Sequence, residues 1–163
     1  MNKFIRVNME TLEATVGSVP EKYVGLGGRA LTSNFVNDEV NPTCHPLGKN
    51  NKLIIAPGLL SGTSAANSGR LSVGAKSPLT GTIKESNTGG SSSQMLAKMG
   101  IKAIVIEGVP KEDKFYIIKV TVDGVSIDEA PQEILGGCGN YDAIKILGEK
   151  YGDKVGMALA GPA

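Results

Sequence analysis

The first third of the chain alternates between strand-like and helix-like spacing of apolar residues. Residues 4–9 place polar and apolar side chains alternately, which is typical of a β-strand with one buried face, and residues 13–16 can return as its hairpin partner. From Gly28 to Glu39 the apolar residues recur near helical spacing. Asn41-Pro42 should stop that helix, because proline disfavours the helical conformation of the residue before it.

The middle of the chain predicts two buried strands followed by a helix. Residues 53–56 and 71–75 are short apolar runs of strand length. Residues 91–98 predict a helix with Met95, Leu96 and Met99 on its apolar side, and Gly100 is placed to end it.

The remaining pattern adds strands, a turn and one more helix. Residues 103–106 and 115–122 read as strands, and Asp123-Gly124 predicts a tight turn into a further strand at 125–127. Asn140 is placed to cap a helix that directs Ile144 and Leu147 inward and ends at Gly152, before a last strand at 155–160. Because strand, helix, strand occurs twice, the pattern hints at an internal duplication.

Composition is that of one globular domain spanning residues 1–163. The chain is 40% hydrophobic and 20% charged, with a net charge of +1 and no Trp, so nothing favours nucleic-acid binding. No apolar run approaches the roughly 20 residues that a membrane span requires. We found no signal peptide pattern at the start, and the expected location is therefore the cytoplasm.

The residues that most often bind metals are sparse. Cys44 and Cys138 lie far apart with no C-x-x-C partner, so we expect neither a zinc site nor an iron-sulfur cluster to be held by this chain, and both cysteines read as small apolar residues. His45, the only histidine, lies in a turn-like segment and reads as a loop residue.

Glycines and basic residues are concentrated between residues 57 and 90, and three interpretations compete for them. Gly25-Leu-Gly-Gly-Arg-Ala30 fits the G-x-G-x-x-A fingerprint of a dinucleotide site, but proline and charges precede it where a buried strand should stand. The segment from Gly62 to Gly69 lacks the Lys and Ser or Thr of a P-loop. The glycines could also mark tight turns only, with Arg70 and Lys76 as surface charges.

The third interpretation is a family resemblance carried by several motifs in order. In this sequence they are Phe4-Ile-Arg-Val-Asn8, Tyr23-Val-Gly-Leu-Gly-Gly-Arg29, the run from Asn51 to Ala65, Ser68-Gly-Arg70, Lys76-Ser-Pro-Leu-Thr-Gly81, Asn87-Thr-Gly-Gly90 and the run from Met99 to Gly108. Together they resemble the N-terminal domain of the aldehyde:ferredoxin oxidoreductase family, over essentially the entire chain.

The resemblance implies an α+β domain with two curved mixed β-sheets, a few helices and an internal pseudo-duplication. It also implies a tungsten- or molybdenum-bis-pterin cofactor with Mg²⁺, in an enzyme that oxidises aldehydes to carboxylates and passes electrons to ferredoxin. The residues implied to bind the cofactor are Arg70, Asn87, Gly89, Gly90 and Lys76, with Ser77 and Thr80 as neighbours. Asn87 is also implied as a backbone ligand of the Mg²⁺ between the pterin phosphates.

In the family, further pterin motifs, helical domains and the cysteines of a 4Fe-4S cluster follow the point at which this sequence stops, Gly161-Pro-Ala163. We therefore expect the chain alone to be inactive, with the cluster on C-terminal domains or on a separate subunit. The alternatives are a stand-alone or truncated pterin-binding or partner-binding module without catalysis, and a homo-oligomer. Nucleic acid and membranes are not expected partners.

Overall fold

The structure is a computed structural model, and it describes residues 1–135 and 138–160. In chain order the elements are β1 (Lys3–Asn8), β2 (Glu13–Ser18), a 3-10 turn (Glu21–Tyr23), α1 (Gly28–Glu39), β3 (Lys52–Pro57), β4 (Arg70–Lys76), β5 (Ile83–Gly89), α2 (Ser91–Lys98), β6 (Ile101–Glu107), β7 (Tyr116–Val120), β8 (Val125–Glu129), α3 (Gln132–Leu135) and α4 (Asn140–Tyr151).

Six strands form one mixed sheet in the order β2-β1-β6-β3-β4-β5, and β7 and β8 form a separate hairpin. The strands β1 and β6 are parallel, and every other neighbouring pair is antiparallel. The predicted α+β class with two sheets and a few helices is confirmed. The two sheets differ in size, and the internal duplication stays a prediction.

Both faces of the six-stranded sheet are covered by apolar side chains. On one face, α1 contributes Leu31, Phe35 and Val36 to a cluster with Phe4 and Ile54. On the other face, Leu96 of α2 and partly buried residues of the β7–β8 hairpin pack on Ile5, Val7 and Ile104. Burial on both faces explains why the central strands read as apolar runs in the sequence.

The pattern located most elements but not all. The helices at 28–39 and 91–98 and the strands in the β1, β2, β3, β4, β6, β7 and β8 regions are confirmed. The strand β5 was missed because its residues are polar and mostly exposed, as an edge strand permits.

Three expectations for the C-terminal part are wrong. The segment 155–160 is not a strand, because it lies on α2, where a Cβ added to Gly156 would stand 2.9 Å from the Cα of Ser92. The N-cap of α4 is Gly139, and Asn140 is the first helical residue. On α4, Ile144 is 45% exposed, whereas Leu147 is buried as predicted. Residues 161–163, which the resemblance also covered, lie outside the described part of the chain.

Candidate functional site

Four of the predicted cofactor residues meet at one end of the six-stranded sheet. β4 and β5 are antiparallel, with Arg70 opposite Gly89 and Ser72 opposite Asn87. Gly90 follows directly and is the N-cap of α2. Arg70, Asn87, Gly89 and Gly90 are therefore brought together by strand register alone.

Hydrogen bonds hold the loop that leads into Arg70. The backbone N–H of Gly58 donates to the carbonyl oxygen of Arg70 at 2.8 Å, and the Ser61 hydroxyl donates to the carbonyl oxygen of Ser68 at 2.9 Å. From α2, Gln94 accepts a hydrogen bond from the backbone N–H of Gly62 at 2.6 Å. The loop 58–69 is thus tied to both β4 and α2.

The glycine-rich start of α1 lies against the same loop. A Cβ on Gly27 would stand 2.6 Å from the backbone nitrogen of Leu59, and Gly28, with φ of +52°, lies beside the Ser72 hydroxyl. The helix follows a 3-10 turn and not a strand, so the strand–turn–helix context of a dinucleotide fingerprint is not met. The segment 62–69 likewise leads into β4 and not into the helix of a P-loop.

The Arg70 side chain is exposed but held in place. Its Nε donates to the Asn87 side-chain oxygen at 2.6 Å, while the terminal guanidinium nitrogens have no hydrogen-bond partner within residues 1–135 and 138–160. A Cβ at Gly89 would come within 3.4 Å of one of those nitrogens, so glycine keeps the approach to the guanidinium open. An oriented fork of charged donors beside a glycine suits a phosphate group.

Backbone donors lie next to this fork. Gly90 has φ of +119°, open space around its missing side chain, and no side chain caps the following helix. The first N–H groups of α2 therefore have no side-chain partner at the cap, and such a helix start favours anions. These features fit a phosphate-bearing cofactor.

Lys76 is the last residue of β4, six residues from Arg70, and Ser77 and Thr80 follow it. Lys76 is only 9% exposed, and its ammonium group donates to the carbonyl oxygens of Pro42 and Cys44. The Ser77 hydroxyl accepts from the backbone of Leu79 and Thr80 within a turn. The structure does not bring this group to Arg70, and its contact with a cofactor stays an untested prediction.

Sequence reasoning missed three polar residues behind Arg70. The Asn87 amide donates to the Ser72 hydroxyl at 2.9 Å, and Arg29 Nε donates to Glu85 at 3.2 Å. Glu85 and Asn87 alternate along one face of β5, while Arg29 lies in the first turn of α1. Arg29 belongs to one of the family motifs, but no sequence signal marks Ser72 or Glu85, because only the β4–β5 register brings these two near Asn87.

A cleft of about 750 Å³ lies at the other end of the sheet. At this end, Arg6 and Lys52 both pair with Glu39 and Glu107 at 2.6 to 3.4 Å. These charges balance one another, so this cleft should attract anions less strongly than the end of the sheet that holds Arg70, Asn87, Gly89 and Gly90, which we call the Arg70 edge.

Metal-binding side chains do not cluster in the described ranges: no group of three or more His, Cys, Asp and Glu residues there could hold an ion. Cys44 packs partly buried against the α1-side core, and His45 accepts a backbone hydrogen bond from Leu47 in a loop. Within residues 1–135 and 138–160, no helix is long and apolar enough to cross a membrane.

Comparison with known structures agrees with this architecture. The active site complex BamBC of benzoyl coenzyme A reductase, solved with 1,5-dienoyl-CoA, superposes with a TM-score of 0.83 at 26% identity. The match covers 91% of this chain and 22% of that one.

Curated relatives match over the whole chain. It is 39% identical to the tungsten-containing aldehyde ferredoxin oxidoreductase of Pyrococcus furiosus and 38% identical to that of Thermococcus kodakarensis, over 99% of this chain. The chain spans 26% of the length of each relative. The sequence model of the aldehyde ferredoxin oxidoreductase N-terminal domain matches residues 4–163, and the chain therefore belongs to the aldehyde ferredoxin oxidoreductase family.

Proposed function

We propose that this chain binds a phosphate-bearing tungsten-pterin cofactor at the Arg70 edge and forms the cofactor platform of an aldehyde:ferredoxin oxidoreductase. The observation that carries the proposal is the Arg70 guanidinium, oriented through Nε by Asn87 with its terminal nitrogens facing open space beside Gly89. A buried or internally paired arginine could not serve in this way.

Each residue has a distinct part in the proposed site. Arg70 binds a phosphate through two parallel N–H donors. Gly89 and Gly90 let the cofactor approach the backbone closely and leave the helix N–H groups accessible. Since β5 is an edge strand, alternate backbone carbonyls face away from β4, and the Asn87 carbonyl is the proposed ligand for Mg²⁺ between the phosphates.

When bound, the tungsten-pterin group supplies the redox chemistry, and in family members it is the centre at which aldehyde is oxidised. The metal is expected to be held by pterin sulfurs, so a protein ligand is not required. Identity favours the aldehyde reaction over aryl-CoA reduction, since the relatives at 39% and 38% are aldehyde ferredoxin oxidoreductases and the reductase complex stands at 26%. Tungsten is proposed over molybdenum because both relatives are named tungsten-containing enzymes.

The remaining partners are also proposals. The chain spans 26% of its relatives, so we propose that catalysis, the 4Fe-4S cluster and electron transfer to ferredoxin need additional protein, in the same polypeptide or in a separate subunit. A cytoplasmic location accords with ferredoxin as electron acceptor. A non-catalytic pterin-binding module and a homo-oligomer remain the alternatives.

The test is phosphate binding by matched variants. Arg70→Ala should weaken binding of inorganic pyrophosphate, measured by calorimetry, by at least about fivefold, corresponding to about 1 kcal/mol. Lys84→Ala is the control. It removes the same positive charge from β5, but the Lys84 side chain lies on the opposite face of the strand from Asn87. Equal affinities for wild type, Arg70→Ala and Lys84→Ala would contradict the proposed site.

A further inference from the structure

A chain of directed hydrogen bonds stands behind Arg70. Arg70 Nε donates to Asn87 Oδ1 at 2.6 Å, and Asn87 Nδ2 donates to Ser72 Oγ at 2.9 Å. An amide side chain can be turned round, exchanging its oxygen and its nitrogen. Arg70 Nε–H can only donate, which favours the Asn87 oxygen facing it, and a hydrogen-bond acceptor beyond Ser72 would reinforce this orientation.

Glu85 lies two residues before Asn87, on the same face of β5. Its side chain is only 8% exposed, and one oxygen, Oε2, accepts from Arg29 Nε at 3.2 Å. The other oxygen, Oε1, is buried and has no hydrogen-bond partner in the described part of the protein. A buried carboxylate oxygen without a donor is costly, so it marks a place where a donor is expected.

The Ser72 hydroxyl can supply that donor. Its oxygen already accepts from Asn87, which leaves its own proton to donate. Burial acts to raise the pKa of Glu85, but the Ser72 hydroxyl and the Arg29 guanidinium outweigh it and lower the pKa below its ordinary value. Glu85 is therefore a carboxylate at neutral pH, a group that only accepts hydrogen bonds.

We propose that Glu85 is a positioning residue for Arg70, setting the direction of the hydrogen bonds that run through Ser72 and Asn87. This inference rests on the proposed function, in which Arg70 binds phosphate. Because the carboxylate accepts, Ser72 donates to it and accepts from the Asn87 NH₂ group. The Asn87 oxygen then faces Arg70 Nε, and the terminal guanidinium nitrogens face the ligand.

A glutamine at position 85 no longer fixes the direction of these hydrogen bonds, because its side chain can donate as well as accept. Its NH₂ group can donate to Ser72, and the Ser72 hydroxyl can then donate to the Asn87 oxygen. Either the Asn87 amide then turns, so that its NH₂ group meets Arg70 Nε as donor against donor, or Arg70 keeps the amide in place and the Ser72 proton loses its acceptor. Glu85→Gln should therefore weaken anion binding, although it removes a negative charge near the site, which by electrostatics alone would strengthen anion binding.

The proposal and simple electrostatics predict opposite changes in anion affinity for Glu85→Gln, so the experiment distinguishes them. Calorimetric titration with inorganic pyrophosphate compares wild type, Glu85→Gln, Arg70→Lys and the double variant. We expect Glu85→Gln to weaken binding at least about threefold in the wild-type background and to have no further effect with Arg70→Lys, because lysine has no Nε–H for Asn87 to orient. Tighter or unchanged binding in Glu85→Gln, or an equal loss in both backgrounds, would overturn the proposal.

The control is Glu13→Gln, which removes the same charge from β2 at the opposite edge of the sheet and should leave the affinity unchanged. Thermal unfolding of each variant verifies that the chain is folded.

A second measurement separates this inference from the proposed function. In the ligand-free chain, ¹H–¹⁵N NMR should show the Arg70 Nε–H as a protected signal that is lost in both Glu85→Gln and Ser72→Ala. If the wild type fails to bind pyrophosphate, the proposed phosphate site is wrong, and the NMR signal still decides on the hydrogen-bond chain. An Nε–H signal unchanged in Glu85→Gln would refute the role of Glu85.

Discussion

Gly74 lets α1 lie directly on β4. A Cβ at this position would stand 2.6 Å from the Cβ of Thr32 and 2.8 Å from its hydroxyl oxygen, and Thr32 is fully buried on the helix. The absence of a side chain at Gly74 therefore allows α1 to pack on β4. The same contact places the start of α1 near Arg70.

Gly74→Ala should lower the free energy of unfolding by about 1–3 kcal/mol, because the added methyl group forces α1 away from the sheet. Urea denaturation measures the loss. Gly17→Ala on β2 is the matched control, since a Cβ there meets nothing within 4 Å, and it should be neutral or slightly stabilising. Equal stability of the two variants would contradict the close packing of α1 on β4.

Lys102 is a buried cation that forms no ion pair with any acidic residue in the described part of the chain. It is 2% exposed, occupies the irregularity where β6 shifts register against β1, and donates to the Val24 carbonyl oxygen at 2.8 Å. Desolvation lowers its pKa from the ordinary 10.5. In the alkaline range below that value, the unfolded state therefore binds more protons than the folded state, and stability should rise with pH.

Lys102→Met should abolish this rise. Urea unfolding between about pH 8 and about pH 10 gives the slope, and Lys84→Met, an exposed lysine variant, should keep the wild-type slope. A wild-type unfolding free energy that is flat or falls across this range would argue against a desolvated ammonium group at position 102.

The motifs predicted residues that lie together in the structure, although their contact with a cofactor stays a prediction. Arg70 pairs with Gly89 across β4 and β5, Asn87 lies two residues before Gly89, and Gly90 follows it directly. Lys76 belongs to the same segment rich in glycine and basic residues, but it lies at the far end of β4. Sequence spacing alone could not show this distance, because the strand β5 was not predicted. Glu85 and Ser72 carry no motif, and only the register reveals them.

At the scale of elements, an ion-pair network fastens the end of α1 to the sheet. Glu39 accepts from Arg6 of β1 and from Lys52 of β3, and both cations also pair with Glu107 of β6. Burial acts to raise the pKa of Glu39, but Arg6 and Lys52 outweigh it and hold the pKa below the ordinary 4.5.

The lowered pKa of Glu39 makes the free energy of unfolding depend on pH. Because the folded pKa of Glu39 is lowered, its contribution is present above about pH 4.5, the ordinary value, and is lost as the pH falls through the folded pKa. Glu39→Gln should cost roughly 1–3 kcal/mol at neutral pH and flatten the acid side of the stability profile. Glu13→Gln, which removes a carboxylate outside any ion pair of the described residues, is the control. Parallel acid profiles for wild type and Glu39→Gln would refute the network's contribution.

Elements with a strong apolar period were predictable and the others were not. The central strands and α1 bury one or two faces, so burial leaves a pattern in the sequence. The edge strand β5 is held by backbone pairing and leaves none. In segment 155–160, Gly156 lies against α2 while Val155 and Leu159 stay exposed, so a strand-like composition did not make a strand.

At the scale of the whole molecule, the sheet presents two chemically different ends. One end is charge-balanced and tethers α1, and the other gathers glycines, helix N–H groups and an oriented arginine. The structural match at a TM-score of 0.83 shows that the fold is shared with a chain of the benzoyl coenzyme A reductase complex, 22% of which the match covers.

We propose above all that the Arg70 edge binds a tungsten-pterin cofactor. The most direct measurement is tungsten by elemental analysis, with pterin fluorescence after oxidation, on wild type, Arg70→Ala and Lys84→Ala, each purified with and without the product of any adjacent gene. We predict tungsten and pterin together in wild type and Lys84→Ala, in the chain alone or in the complex, and their loss in Arg70→Ala. Tungsten and pterin absent from every wild-type preparation, or retained unchanged by Arg70→Ala, would contradict the account.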